Sequence, residues 1–186
     1  MEQSRKIILA VTGASGSRYA RLLAAPLINS QKFSEIAVIV TQTGRQVMAY
    51  EDTTAWLDSP GLTVYDNRDL FAAPASGSAG YDAMVVIPCS MGTLGRIAAG
   101  VSDGLLGRAA DVMLKERRPL VLVPRELPLG TIHLRNMTAL SEAGATICPA
   151  CPSFYSRPAD IDALCMTVVE RVLVHLGVEM PRFEWK

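Results

Sequence analysis

The chain predicts an α/β protein, a mainly parallel sheet layered between helices, and three observations carry that expectation. Continuous apolar runs such as KIILAVT at 6–12 and AMVVI at 83–87 suit strands covered on both faces. Helical stretches alternate with such runs along the whole chain. Two of the runs end in small or hydroxyl-bearing turns, Gly13-Ala14-Ser15-Gly16-Ser17 and Ser90-Met91-Gly92-Thr93, that open the next helix. In an open parallel sheet, the edge where such turns collect is where ligands bind.

The elements follow in order. Lys6–Thr12 is the first strand, and a helix runs from about Arg18 to Ser30. Glu35–Thr41 is the second strand, followed by a short helix from Gln42 to about Tyr50. Leu62–Tyr65 is a short strand, and Pro74–Gly80 is a small-residue loop, mobile or packed on a neighbour. Ala83–Ile87 is a strand, with helix over Thr93–Ala99. Ser102 or Asp103 can cap a further helix reaching about Glu116, whose broad apolar face includes Leu105, Leu106, Ala109, Ala110 and Met113. Arg117 and Arg118 read as charge at that helix end. Leu120–Val123 is a strand ending in Pro124-Arg125-Glu126, and helix spans Ile132–Ala143 with Gly144 as its stop. Ala145–Cys148 is the last strand, and Asp160–Leu176 the last helix. Arg171 lies on that helix among valines, so it is expected to be paired. The tail after Met180 carries Phe183 and Trp185 and is a candidate for packing on another subunit.

Bulk properties narrow the function. With 186 residues, one domain over 1–186 can bury roughly 70% of its unfolded surface. Net charge is zero, so no basic face for nucleic acid is implied. No apolar run approaches the roughly 20 residues of a membrane span. The first apolar run ends in a glycine turn rather than a cleavage site, so a cytoplasmic location is expected. The four cysteines are then expected as thiols. Cys148 and Cys151 form a CxxC, either a metal or redox pair or a chance spacing in a turn. Two histidines cannot build a His-rich metal site.

Collected at one sheet edge, the polar candidates are Ser15, Thr41, Ser90, Thr93, Arg125, Glu126 and Tyr155, with Lys115 and Arg171 reaching in from helices. Hydroxyls, amides and cations suit phosphate. The string GASGS departs from the dinucleotide fingerprint, and its turn is either an anion site or a plain tight turn. Glu51 closes a helix, where a carboxylate opposes the dipole; it is either a solvated turn acid or a site residue. Arg125 beside Glu126 is either a surface ion pair or a ligand pair. A P-loop and an acidic metal cluster are both missing, which argues against a nucleotide triphosphatase and a magnesium-bound diphosphate substrate.

VTGASG at 11–16, PCSMGTL at 88–94, DGLLGRAADVMLKERRPLVLVPRE at 103–126, HLRNM at 133–137 and PSFYSRP at 152–158 resemble the flavin prenyltransferases of the UbiX type. Those proteins were once described as aromatic-acid decarboxylases. The similarity covers nearly the whole chain and is weakest from Glu51 to Ala79. It implies a Rossmann-like flavoprotein assembled as a dodecamer. The implied reaction joins the dimethylallyl group of dimethylallyl monophosphate to N5 and C6 of reduced FMN, without a metal. The product, prenylated FMN, serves a UbiD-type decarboxylase. By position, the resemblance implies FMN contacts at Gly13, Ala14, Ser15, Thr41, Ser90, Met91, Gly92, Thr93 and Arg125. Thr41 stands where the family often has Ser, with the hydroxyl kept. The substrate phosphate would meet Lys115, Arg125, Tyr155 and Arg171, some from neighbouring subunits. Ser15, Glu51, Lys115 and Glu126 would be catalytic, with Ser15, Glu51 and Glu126 handling protons. Two other classes share features with the chain: flavin-dependent cysteine decarboxylases, for which Cys89 is the candidate nucleophile, and a non-catalytic flavin carrier beside a decarboxylase.

Overall fold

The computed structural model describes residues 5–180. Its strands are β1 (Arg5–Val11), β2 (Phe33–Val40), β3 (Leu62–Asp66), β4 (Ala83–Cys89), β5 (Leu120–Pro124) and β6 (Thr146–Ile147). Its α-helices are α1 (Arg18–Asn29), α2 (Gln42–Tyr50), α3 (Met91–Ala98), α4 (Leu105–Lys115), α5 (Thr131–Glu142) and α6 (Ile161–His175). The strands form one sheet in the order β3-β2-β1-β4-β5-β6. Every ladder in it is parallel.

Alternation along the strands divides the core in two. Ile7, Leu9 and Val11 of β1 face one way, with Leu23 and Leu27 of α1 and Val169, Val172 and Leu173 of α6. Ile8 and Ala10 face the other, with Leu105, Ala109, Val112 and Met113 of α4. Both faces are therefore dry, which is why these strands tolerate no polar alternation. Asp162 ties the first layer together by pairing with both Arg18 and Arg21 across α1 and α6.

Most predicted elements stand where the periodicity places them; the differences lie in caps and loops. Helix α4 is capped neither by Ser102 nor by Asp103. Its N-cap is Gly104, and Asn67 supplies the partners: its carbonyl accepts from Leu105 N at 2.7 Å and its Oδ1 from Leu106 N at 2.9 Å. A side chain on Gly104 would meet Asn67 at 2.6 Å, so the close approach requires glycine. The small-residue loop is packed on its own chain. Arg108 Nε donates to Ala75 O at 3.1 Å, and Arg118 donates to Gly77 O and Tyr81 O, both at 3.0 Å. Arg118 is thus a loop anchor rather than a solvated helix end. The aromatic tail at 181–186 lies outside the described residues.

The strand order reverses between β1 and β4, which makes that junction the switch point of the sheet. Thr12 closes it. Its buried hydroxyl donates to Pro88 O at 2.7 Å and accepts from Ser90 N at 2.8 Å. Thr12→Val keeps the shape and leaves the half-buried Ser90 amide without its partner, while Pro88 O keeps only the Thr12 amide at 3.3 Å, so we expect a loss of about 1–3 kcal/mol, read from denaturant unfolding. An unchanged midpoint would show that the clasp contributes nothing.

Candidate active site at the carboxyl edge

Two clefts open at the carboxyl edge of the sheet. The first, about 370 Å³, lies at the switch point and is lined by Gly13, Thr41, Gln42, Thr43, Asn67, Ser90, Thr93, Arg96, Asp103 and Gly104, among others. Local chemistry shapes it. Thr41 caps α2, its hydroxyl accepting from Gly44 N at 3.0 Å. Ser90 caps α3 by accepting from Thr93 N at 3.3 Å, and its own hydroxyl donates to Thr93 Oγ1 at 3.1 Å. A Cβ on Gly13 would sit 2.7 Å from Thr43 Cβ, so the turn runs against α2 only as glycine. Of the other residues singled out on these turns, Ala14 and Met91 are buried and Gly92 is exposed.

The second cleft, about 510 Å³, lies on the other side of the Gly13–Ser17 turn and is lined by Ser15, Gly16, Arg18, Tyr19, Glu51, Thr53, Arg125, Ala150, Ile161 and Cys165. Arg125 crosses to it from the end of β5, its Nε donating to Ser15 O at 3.1 Å. It is not ion-paired with Glu126, whose carboxylate accepts from Leu127 N at 3.1 Å instead. Glu51 is the centre of this region. Its carboxylate accepts from Gly16 N at 2.9 Å, Ser17 N at 2.8 Å and the Ser17 hydroxyl at 2.6 Å. So Glu51, at the end of α2, caps the start of α1, where a negative charge is favoured. That resolves its position at a helix C-terminus, and it occupies the Gly16 and Ser17 amides of the GASGS turn that could otherwise hold an external anion. Burial by itself would raise the Glu51 carboxyl; hydrogen bonds from Ser17, Ser15 and the two amides outweigh it and hold the group below its ordinary value of 4.5.

The remaining candidates are dispersed in a single chain. Lys115 ends α4 and pairs with Glu116. The adjoining Glu116 side chain would touch a Cβ on Gly77, and Arg118 holds Gly77 and Tyr81 just ahead of β4, where Asp82 N meets Lys6 O at the start of β1. That is the amino edge of the sheet, a strand length of roughly 15–20 Å from Arg125. Tyr155 stands 68% exposed beyond β6, and Arg171 is exposed on α6. Glu126 is exposed as well. Cys89 lies fully buried on β4, with burial pushing its thiol up to about 12.

Asn67, Arg96 and Asp103 were missed in the sequence. Arg96 Nε meets Asp103 Oδ2 at 3.1 Å across the mouth of the first cleft. Only the spacing of seven residues between them, spanning a helix end, could have drawn attention to the pair. His133 is a helix cap, its Nδ1 accepting from Gly130 N at 3.2 Å. The described residues contain no cluster able to hold a metal ion, and no helix among them is long and apolar enough to cross a membrane.

A parallel sheet with a glycine-shaped cleft at its switch point defines a ligand-binding α/β protein, and residues 1–173 match the family model described as Flavoprotein. The flavin prenyltransferase UbiX of Pseudomonas aeruginosa is 42% identical, covering 96% of this chain and 92% of that protein. UbiX of Alkalihalophilus pseudofirmus is 45% identical, covering 98% and 96%. Among solved structures, the dodecameric FMN-dependent UbiX-like decarboxylase from Escherichia coli O157:H7 matches with a TM-score of 0.89 and 41% identity, over 97% of this chain and 99% of that one. The AnUbiX structure in complex with FMN and dimethylallyl pyrophosphate matches with a TM-score of 0.87 and 36% identity, over 99% and 100%. The chain belongs to the UbiX family of flavin prenyltransferases. A PPC decarboxylase, at 18% identity and a TM-score of 0.67, shares the fold alone.

Because the Glu51 carboxyl is held below its ordinary value, the stability it contributes is fully present above about pH 4.5 and is lost as pH falls through the lower folded value. Wild type and Glu51→Gln should therefore differ most in unfolding midpoint near neutrality and converge in acid. A gap that stays constant down to about pH 3 would contradict the assignment.

Proposed function

We propose that this protein holds reduced FMN in the switch-point cleft and joins to it the dimethylallyl group of dimethylallyl monophosphate. Bond formation at N5 and C6 gives prenylated FMN, which a UbiD-type decarboxylase then uses. The observation that supports this best is the meeting of two clefts on one turn: a flavin-sized cleft at the switch point, and beside it one where Ser15 and Arg125 are joined. The fit to FMN rests on the cradle itself. Gly13 lets the turn close onto Thr43 of α2 at the cleft wall, and Ser90, Thr93 and Thr41 offer hydroxyls at helix N-termini suited to phosphate and ring edges. When bound, the reduced flavin supplies the nucleophilic positions; the chain's residues supply alignment and charge.

Arg125 spends its Nε on Ser15 O, so its two terminal nitrogens remain for a phosphate in the second cleft. A fixed guanidinium there stabilises the phosphate as the allylic C–O bond breaks. Glu126, the next residue, is exposed in the single chain, and we assign it to protonate the departing phosphate once a neighbouring subunit buries it. Glu51 acts as a carboxylate that orders the turn through the Gly16 and Ser17 amides, next to Ser15. Lys115, at the opposite edge, can join this phosphate only from another protomer, and we assign exposed Tyr155 and Arg171 to the same inter-subunit site. The E. coli relative is dodecameric, and a comparable closed assembly of this chain, one domain per subunit over 1–186, would bring the two edges together. We place the reaction in the cytoplasm. The cysteine decarboxylase reading loses its nucleophile, because Cys89 is sealed in the core. A carrier has no need of a second cleft that presents Arg125.

Lys115→Ala and Glu126→Gln should retain FMN yet lose prenylation by about 100-fold or more, read by mass spectrometry of the flavin after incubation with reductant and dimethylallyl monophosphate. Normal turnover in both variants would remove these roles. The shared site has its own test, because Lys115→Ala and Arg125→Ala assemblies should each be inactive alone. Mixed by refolding together, they should regain activity, since about a quarter of the sites then receive both intact residues. Failure to regain any activity in verified mixed assemblies would place the two residues in separate functions.

A further inference from the structure

Three polar side chains are buried among the described residues, Thr12, Ser17 and Thr53, and two of them lie behind Glu51. Buried hydroxyls cost free energy unless bonded, so their bonds say what they are for. The Ser17 hydroxyl reaches Glu51 Oε2 at 2.6 Å and lies at hydrogen-bond distance from the Thr53 hydroxyl. Thr53 is also 3.3 Å from Met48 O. A carboxylate only accepts, and each hydroxyl has one proton. Ser17 therefore gives its proton to Glu51 and must accept from Thr53. The Thr53 proton then points at Ser17, and its long contact with Met48 O is the weaker alternative. The result is a directional chain from Thr53 to Ser17 to Glu51, ending on a charge that also holds the Gly16 and Ser17 amides.

We propose that Ser17 and Thr53 are positioning residues for the prenyl transfer, acting through Glu51 to hold the turn on which Ser15 and Arg125 meet. The inference rests on the reading of Ser15 and Arg125 as phosphate-handling groups. Ser15 precedes the two anchored amides directly, and its carbonyl accepts from the Arg125 guanidinium. A turn released from Glu51 would leave that guanidinium free to swing, and misplacement by about 1 Å is enough to slow an aligned reaction severely. Neither hydroxyl needs to touch the phosphate or the flavin for this to hold.

The test uses the assembled protein with Ser17→Ala, Thr53→Val and Thr53→Ser, each with its melting temperature recorded. Thr53→Val keeps the shape and loses the hydroxyl; Thr53→Ser keeps the hydroxyl. We expect Ser17→Ala and Thr53→Val to bind FMN within about twofold of wild type and to lose about 10- to 100-fold in the rate of prenylation at saturating dimethylallyl monophosphate. Thr53→Ser should recover most of that rate. Hydrogen–deuterium exchange over the peptide containing Gly16 and Ser17 supplies a readout independent of the reaction: protection should fall in Ser17→Ala and Thr53→Val and return in Thr53→Ser. Wild-type rates in both hydroxyl-free variants would overturn the proposal, as would Thr53→Ser behaving like Thr53→Val. If Ser17→Ala does not fold, the Thr53 pair decides alone. If the wild type fails to prenylate FMN, the functional reading falls, while the exchange data still decide whether the anchor exists.

Discussion

One buried hydroxyl holds the working edge of this protein together. Thr12, just past β1, joins it to the end of β4 where the strand order reverses, donating to Pro88 of β4 and accepting from Ser90 at the start of the helix that follows β4. At that point the two parallel ladders run out and the neighbouring connections leave in opposite directions. Backbone groups there have no ladder partner and must find another or face water. Thr12 satisfies an amide and a carbonyl at once, and so sets the spacing between the Gly13 and Ser90 turns. The first cleft is what remains between those turns.

A second anchor sets the other cleft. Glu51 stands at the end of one helix and neutralises the start of another, so a position unfavourable for its own helix is favourable for the pair. The turn is thereby rigid on one side, through Glu51, and tied on the other, through Arg125. The two clefts share this turn, which makes their relative placement a property of a few hydrogen bonds rather than of loop length. The same economy explains why the cations of the chain lie on both edges of the sheet. A helix between parallel strands carries its last residue back to the amino edge, so Lys115 is separated from Arg125 by construction. In the proposed assembly, symmetry repairs that separation.

Much of the architecture was legible in the residues because one physical rule dominates it. Strands covered on both faces cannot carry polar side chains, and the apolar runs of β1, β2, β4 and β5 stand out for that reason. The caps Thr41, Ser90 and Asp160 are local, each side-chain oxygen accepting from an amide three residues on. Partners distant in sequence were not legible. Asn67 caps α4 from a segment 38 residues before that helix begins, and Arg118 braces a loop about 40 residues earlier. Local spacing holds no trace of either, so Ser102 or Asp103 looked like the cap and Arg118 like a solvated charge. The exposure of Arg171 was hidden for the opposite reason: neighbouring valines on a helix say which face is buried only when the helix is placed.

The sequence by itself determined the layers, the strand-end turns and the set of hydroxyls and cations available for a phosphate, because these follow from burial and from contacts a few residues apart. Only the tertiary structure decided which of them meet. It put Ser15, Glu51 and Arg125 around one cleft, sent Lys115 to the far edge and buried Cys89. The physical reason is that hydrogen bonds and charges act through space over a few ångströms, whereas strand order and helix direction decide which distant residues come within that reach.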